Sequence, residues 1–335
     1  MKQSILKTLF VLFVIDMSAF ALTSCSSLRS TEEKAAISYH FADREEAIEC
    51  YLASGYLDRR TSDDIQFTLQ DKNGTVEQMK DFVISQMIEF SEEEKAELKE
   101  VLSEMNERLI KRGFNLPDVG EITFARTMMK EEPGGSAYTL GTCIFLGDKV
   151  FEYLHTESEY GENLGKILMW HELFHVLTRN NPDFRRDMYS IIHFTVADHD
   201  FEIPPVVLER LYTNPDVNHY DSYASFLING EYIDCFFVTI IKKPSEQKGK
   251  NLFENSEPVL VPIGGENTYY SLNDAENLID VVGDNTDYLN DPEECLADNF
   301  AFTLYYELDV DDFMTPEIIY AIADYLSQPV AKDNK

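Results

Sequence analysis

The chain has 335 residues, 44% of them hydrophobic, which is enough to bury the core of one large domain or of a catalytic domain with a helical extension. Its 61 acidic residues against 28 basic ones leave a formal charge of −33. That surplus excludes nucleic acid as a partner, because a phosphate backbone is gripped by basic patches, and it is read most simply as a soluble, self-repelling surface.

Lys2 and Lys7 give the chain a positive start, residues 8–15 form a short apolar stretch, and 17–22 extend it past Asp16. This is the pattern of an export signal, too short and too interrupted to span a bilayer. Leu22-Thr23-Ser24-Cys25 resembles the lipobox of bacterial lipoproteins. The resemblance implies that residues 1–24 are a removable signal peptide. It also implies that Cys25 carries a lipid anchor, leaving the protein on a membrane of the bacterial cell envelope, facing the periplasm or the exterior. Cys50, Cys143, Cys235 and Cys295 remain, with three pairings open and buried free thiols an equal expectation.

Residues 25–42 read as a tether and 43–120 as a mainly helical N-terminal region. Within it an amphipathic segment covers 43–53. A longer helix runs from N-cap Ser91 through the acidic first turn Glu92-Glu93-Glu94 to Arg112, with Gly113 as its stop. Residues 121–126 and 137–146 read as strands.

Next comes a helix over 162–178, apolar around most of its circumference through Leu164, Ile167, Leu168, Trp170, Phe174, Val176 and Leu177, and ended by Asn180-Asn181-Pro182. Inside it lies His171-Glu172-Leu173-Phe174-His175, an H-E-x-x-H pattern. Positions i and i+4 share a helix face, so both imidazoles can reach one metal at about 2.0–2.1 Å. Glu172 stands beside that metal, placed to take a proton from an activated water. The competing reading is a core helix that happens to hold two histidines. Polar groups in so apolar a helix are costly without a partner, and a metal supplies one.

Downstream, residues 184–192 and 204–212 read as helical, 232–241 as a strand, 244–257 as an exposed loop, 317–326 as a last helix and 331–335 as a frayed tail. Residues 214–223 are turn-rich, polar and aromatic, suited to a site wall. His219, Tyr220 and Tyr223 are the candidates there for stabilising a tetrahedral oxyanion.

A catalytic zinc needs a third protein ligand. Residues 290–301 read as a helix with Asp291 at the N-cap and Pro292 at its first position. Glu294 and Asp298 then share a face, one to ligate and one to accept the N–H of a ligating histidine. Alternatively Asp291 and Glu294 form a capping box; a ligating Glu294 instead leaves Asp291 to cap alone. His193, Asp198, His199 and Asp200 stay open as ligands. Thr178 and Asn181 stand where the metzincin extension needs glycine and histidine, so that class is excluded.

With these two segments the chain resembles the gluzincins, zinc metallopeptidases of the thermolysin-like clan, in which H-E-x-x-H is completed by E-x-x-x-D on a later helix. The resemblance implies one zinc ion held by His171, His175 and Glu294, with Glu172 as general base and Asp298 behind His171. It also implies an α+β, zincin-like catalytic domain over 121–330, with a small mixed sheet, an active-site helix and a helical C-terminal part. The N-terminal region would be an extension to it, and about 182–289 a structured insertion. The strand before the helix would be the edge on which a substrate peptide lies, while its nearly continuous apolar run equally suits an interior strand. Two departures stand out: Glu294 follows His175 by 119 positions, and Glu293 occupies a place where the thermolysin type has asparagine. The expected function is hydrolysis of peptide bonds in a peptide or protein substrate. The alternatives are a non-catalytic peptide- or protein-binding lipoprotein and a zinc amidase acting on cell-wall peptides.

Overall fold

The computed structural model describes residues 37–158, 161–242, 255–264, 267–306 and 313–329. The expected signal peptide, Cys25, residues 244–254 of the expected loop and the tail 331–335 lie outside the described residues. No described helix is long and apolar enough to cross a membrane.

The N-terminal half runs through β1 (Ser38–Phe41), α1 (Arg44–Ala53), α2 (Tyr56–Arg59), α3 (Ser62–Leu69), α4 (Val76–Gln86), β2 (Met87–Ile88) and α5 (Glu92–Arg112). Then follow β3 (Glu121–Thr127), β4 (Ala137–Leu140), β5 (Cys143–Leu146), α6 (Asp148–Leu154), α7 (Leu164–Asn180) and α8 (Pro182–Ile191). The remainder comprises β6 (Thr195–Val196), α9 (Pro205–Leu208), β7 (Ser222–Ile228), β8 (Glu231–Ile241), β9 (Ser256–Pro262) and β10 (Tyr270–Ser271). The last helices are α10 (Leu278–Val282), α11 (Pro292–Tyr305) and α12 (Pro316–Leu326).

The architecture is α+β with a mixed sheet. In that first sheet β1, β3 and β5 are parallel neighbours, β4 pairs antiparallel with β5, and β2 pairs antiparallel with the end of β3. Alternation along the strands sends side chains to two faces. Ile122, Phe124, Ile144 and Leu146 join the main core with α5, α7 and α11, while Ala125, Cys143 and Phe145 face α1–α4. A second, antiparallel sheet runs β10-β9-β8-β7-β6. Cys235, Phe237 and Leu260 point from it into the main core, and Phe236, Val238, Val259 and Val261 to a smaller cluster on the other face.

Several boundaries differ from the sequence reading. Ser38–Phe41, placed in the tether, is a strand paired with β3, and α1–α4 cover a face of the sheet instead of extending away from it. Residues 137–146 are not one strand but a tight hairpin. Gly141, at φ +63°, supplies the left-handed backbone that the two-residue turn requires. Between 204 and 212 only Pro205–Leu208 is helical, and β9 has already begun at Ser256.

Local chemistry explains the helices that matter most. Ser91 and Glu94 form a capping box on α5, and Gly113 ends it in the left-handed region. Asn163 caps α7 by accepting the N–H of Lys166. At Gly165 a Cβ would lie 2.7 Å from the backbone nitrogen of Leu154, so only glycine lets α6 approach the start of α7 this closely.

The N-terminal helices are tied to the body through buried Arg60. Its guanidinium donates to Asp64 at 2.7 and 3.1 Å, to Glu132 at 2.9 Å, to Thr68 at 2.6 Å and to the Glu131 carbonyl at 3.1 Å. Burial raises the pKa of Glu132 to about 8 despite Arg60 beside it, so removing the cation leaves a crowd of acidic groups with no counter-charge. Arg60→Met is expected to cost about 3–5 kcal/mol, as for breaking a buried ion pair. Urea unfolding of the variant and parent at neutral pH checks this.

Candidate metal centre

The site lies where α7 meets α11. Twelve residues of α7 are buried, among them His171, Glu172 and His175, because the helix is packed by the sheet on one side and α11 on the other. The α11 end of the seam is set by Asp291, whose carboxylate accepts the N–H of Glu293 at 2.8 Å with Pro292 in the first turn. Asp291 caps alone, which leaves the Glu294 side chain to face α7.

There, Glu294 Oε2 lies 3.1 Å from His171 Nε2 and 3.5 Å from His175 Nε2. His171, His175 and Glu294 each offer a ligand atom within 4.8 Å of the others, and all three are buried. The opposite ring nitrogens are occupied. His171 Nδ1 is 2.8 Å from Asp298 Oδ1, and His175 Nδ1 is 3.0 Å from Glu293 Oε1. These two carboxylates fix both rings with Nε2 turned toward Glu294, the orientation that metal ligation requires. His175 Nε2 is buried and has no hydrogen-bond partner among the described residues. An orphaned ring nitrogen facing a carboxylate and a second imidazole fits a small cation bound by N and O donors.

The supporting carboxylates are themselves held. Asp298 Oδ2 accepts from Thr286 at 2.5 Å, and Glu293 accepts from Thr178 at 2.5 Å and Tyr189 at 2.6 Å. Burial disfavours the Glu293 anion, but His175, Arg185 and Thr178 outweigh it and hold its pKa below the usual range. Burial likewise opposes a charged His175, yet Asp216, Glu293 and Glu294 together raise its pKa to about 10. Burial raises Glu172, with the two histidines and the Thr139 hydroxyl, 2.7 Å from Oε2, pulling the other way.

Two residues from the connection reach the cluster. Asn214 donates its amide to Glu294 Oε1, and Asp216 offers a carboxylate oxygen within 4.8 Å of Glu172 and His175. Burial, then Glu172, carries Asp216 to a pKa of about 7. Tyr288 stacks its ring on His171 at 6.0 Å. A cavity of about 230 Å³ opens on the Glu293 side, walled by Thr178, Tyr189, Asp216 and His219 among others. A smaller one of about 40 Å³ lies between Tyr138, Asn214, Asp216 and Tyr288.

Of the residues expected at the site, the structure brings His171, Glu172, His175, Glu294 and Asp298 together. His219, Tyr220 and Tyr223 are engaged elsewhere. Asp200 lies 3.5 Å from the half-exposed His219 ring and accepts the Tyr220 N–H at 2.7 Å, while Tyr223 packs against Phe201 at 5.8 Å. His219 stays at the mouth of the larger cavity. Glu293, Asn214, Asp216 and Tyr288 were not foreseen. The adjacent acid pair in 293–294 was the visible signal for Glu293, and the turn-rich 214–223 stretch the signal for Asn214 and Asp216. Neighbouring helix residues point about 100° apart, so assigning Glu294 to the metal left Glu293 without a role.

Comparison with known proteins gives no match: no family model fits the chain, and no curated protein or solved structure is similar to it.

Glu293→Ala and Asp298→Ala each remove the group that orients one histidine. Each is expected to weaken the binding of a divalent cation at this cluster about 10–100-fold, as removal of such partners does elsewhere. Competition with a chromogenic chelator reads the change directly.

Proposed function

We propose that the chain is a zinc-dependent peptidase of gluzincin type, exported, anchored by lipid at Cys25 to the bacterial envelope and acting outside the cytoplasm. One observation carries the reading: His171, His175 and Glu294 converge, with His175 Nε2 unpartnered, while Glu172 from the same helical turn stands beside them. A ligand set of two imidazoles and one carboxylate is the composition of a catalytic zinc site.

A zinc ion bound there supplies Lewis acidity, polarising a carbonyl and lowering the pKa of water. Glu172 takes the proton from the attacking water and returns it to the leaving amine, with Thr139 fixing one of its oxygens. Asp298 and Glu293 keep the imidazoles oriented throughout. The substrate lies extended along β4, the end strand of the first sheet among the described strands. In the hairpin closed by Leu140 and Cys143, alternate residues face outward, so Thr139 turns both its N–H and its C=O toward a docking peptide. Tyr288, stacked on His171, takes the place of His219, Tyr220 and Tyr223 as the candidate donor to the oxyanion.

Glu172→Gln tests the assignment. The variant is expected to bind Zn2+ as the parent does and to lose about 10²–10⁴-fold in peptide hydrolysis, the usual worth of a general base. Mass spectrometry of the metal-loaded protein and an unbiased peptide library give the two readouts. Hydrolysis unchanged in Glu172→Gln rejects the peptidase reading.

A further inference from the structure

We propose that residues 213–218 are a built-in occupant of the substrate groove, so that the folded chain is latent until this segment is displaced. The proposal rests on the peptidase reading of the same centre and adds to it how access is controlled.

The outward-facing groups of Thr139, at the centre of the β4 edge, are already taken. Thr139 N–H donates to Asp216 Oδ1 at 2.7 Å, and the Thr139 carbonyl accepts from Arg179 at 2.5 Å. Arg179 also donates to the Pro215 carbonyl at 2.7 Å and lies 3.8 Å from the Asp216 carboxylate. Asp216 therefore accepts from the sheet edge as the carbonyl of a docked peptide would. A backbone N–H has one proton to give, so peptide and Asp216 compete for it.

The segment also fills the approach to the reacting groups. Asp216 comes within 4.8 Å of Glu172 and His175, and Asn214 donates to Glu294. The Asp216 N–H closes onto Asn214 Oδ1 at 2.9 Å, a local turn around Pro215 that holds both side chains inward. Asn214 and Pro215 wall the smaller cavity and Asp216 borders both, so the two cavities meet at this segment.

Its ends are pinned from outside the groove by the N-terminal helices. The Tyr56 hydroxyl donates to the Thr213 carbonyl at 2.6 Å, and Thr213 Oγ1 donates to the Arg59 carbonyl at 3.2 Å. Arg59 donates to the Val217 carbonyl and to Asn218 Oδ1, the latter at 3.3 Å in an exposed position. None of these pins touches the metal ligands. Loosening them frees the segment while the cluster stays intact.

The test uses the zinc-loaded full chain, its Arg59→Ala and Asp216→Ala variants, and a dipeptide hydroxamate as a groove-directed probe, with calorimetric affinity measured beside library hydrolysis. Only the open fraction binds the probe, so both variants are expected to bind it about tenfold more tightly or better, with zinc stoichiometry unchanged. Equal affinity in all three folded proteins overturns the proposal. Should Asp216→Ala fail to fold, Arg59→Ala decides alone. Tighter probe binding without hydrolysis by any variant upholds the occupant and rejects the peptidase reading. Glu172-dependent hydrolysis with probe affinity unchanged does the reverse.

Discussion

Two imidazoles and the carboxylates of Glu172, Glu293, Glu294 and Asp298 are withdrawn wholly or largely from water along the line where α7 meets α11. Each would be expensive there alone, and the fold is arranged so that none is. Glu293 receives His175, Thr178 and Tyr189, and Asp298 receives His171 and Thr286. Around this polar seam the packing is apolar, with Phe174 against Phe300 at 5.3 Å. Apolar contacts tolerate sliding, whereas these pairs do not. A one-residue shift of α11 would rotate every carboxylate about 100° from its histidine. The polar pairs therefore set the register, and the aromatic contacts hold it.

The legible part of the site was the part written at helical spacing. His171 and His175 are four apart, as are Glu294 and Asp298, and such pairs declare a common face without knowledge of the rest of the chain. The Asp291-Pro292 start of α11 was readable for the same local reason. Glu293 was not, because its partner lies on another helix and nothing in its own segment marks that. Asn214 and Asp216 fall within a stretch read as a site wall, but the side chains directed inward depend on a turn around Pro215 and on Arg179, 36 positions away from that proline. Asp200, one of the residues left open as a ligand, lies against the His219 ring and accepts the Tyr220 N–H, a pairing that no local pattern announces.

The fold was legible in class and less so in its divisions. Alternation and capping marked α5, α7, β3 and β8 within a few residues, since those signals are local. The N-terminal helices read as a separate region because an amphipathic face does not name the surface it buries against. In the structure that surface is the far side of the first sheet, and β1 adds a strand to it. Arg60, Tyr56 and Arg59 then connect these helices to segments more than 70 and 150 positions downstream, respectively. Such long-range closure is the information a local pattern lacks.

The turn at Gly141 carries a further consequence through the length of the strand it follows. With four residues in β4 and alternate ones facing out, the edge offers main-chain bonding at Ala137 and Thr139 only. At about 3.4 Å per residue, that is a purchase of roughly 7 Å. Under the proposed peptidase reading, a substrate on so narrow a ledge would be clasped at two points and otherwise unsupported by the backbone. Discrimination among substrates would then fall to the side-chain hollows on either side of it, and a small displacement at one end would be enough to unseat whatever lies there.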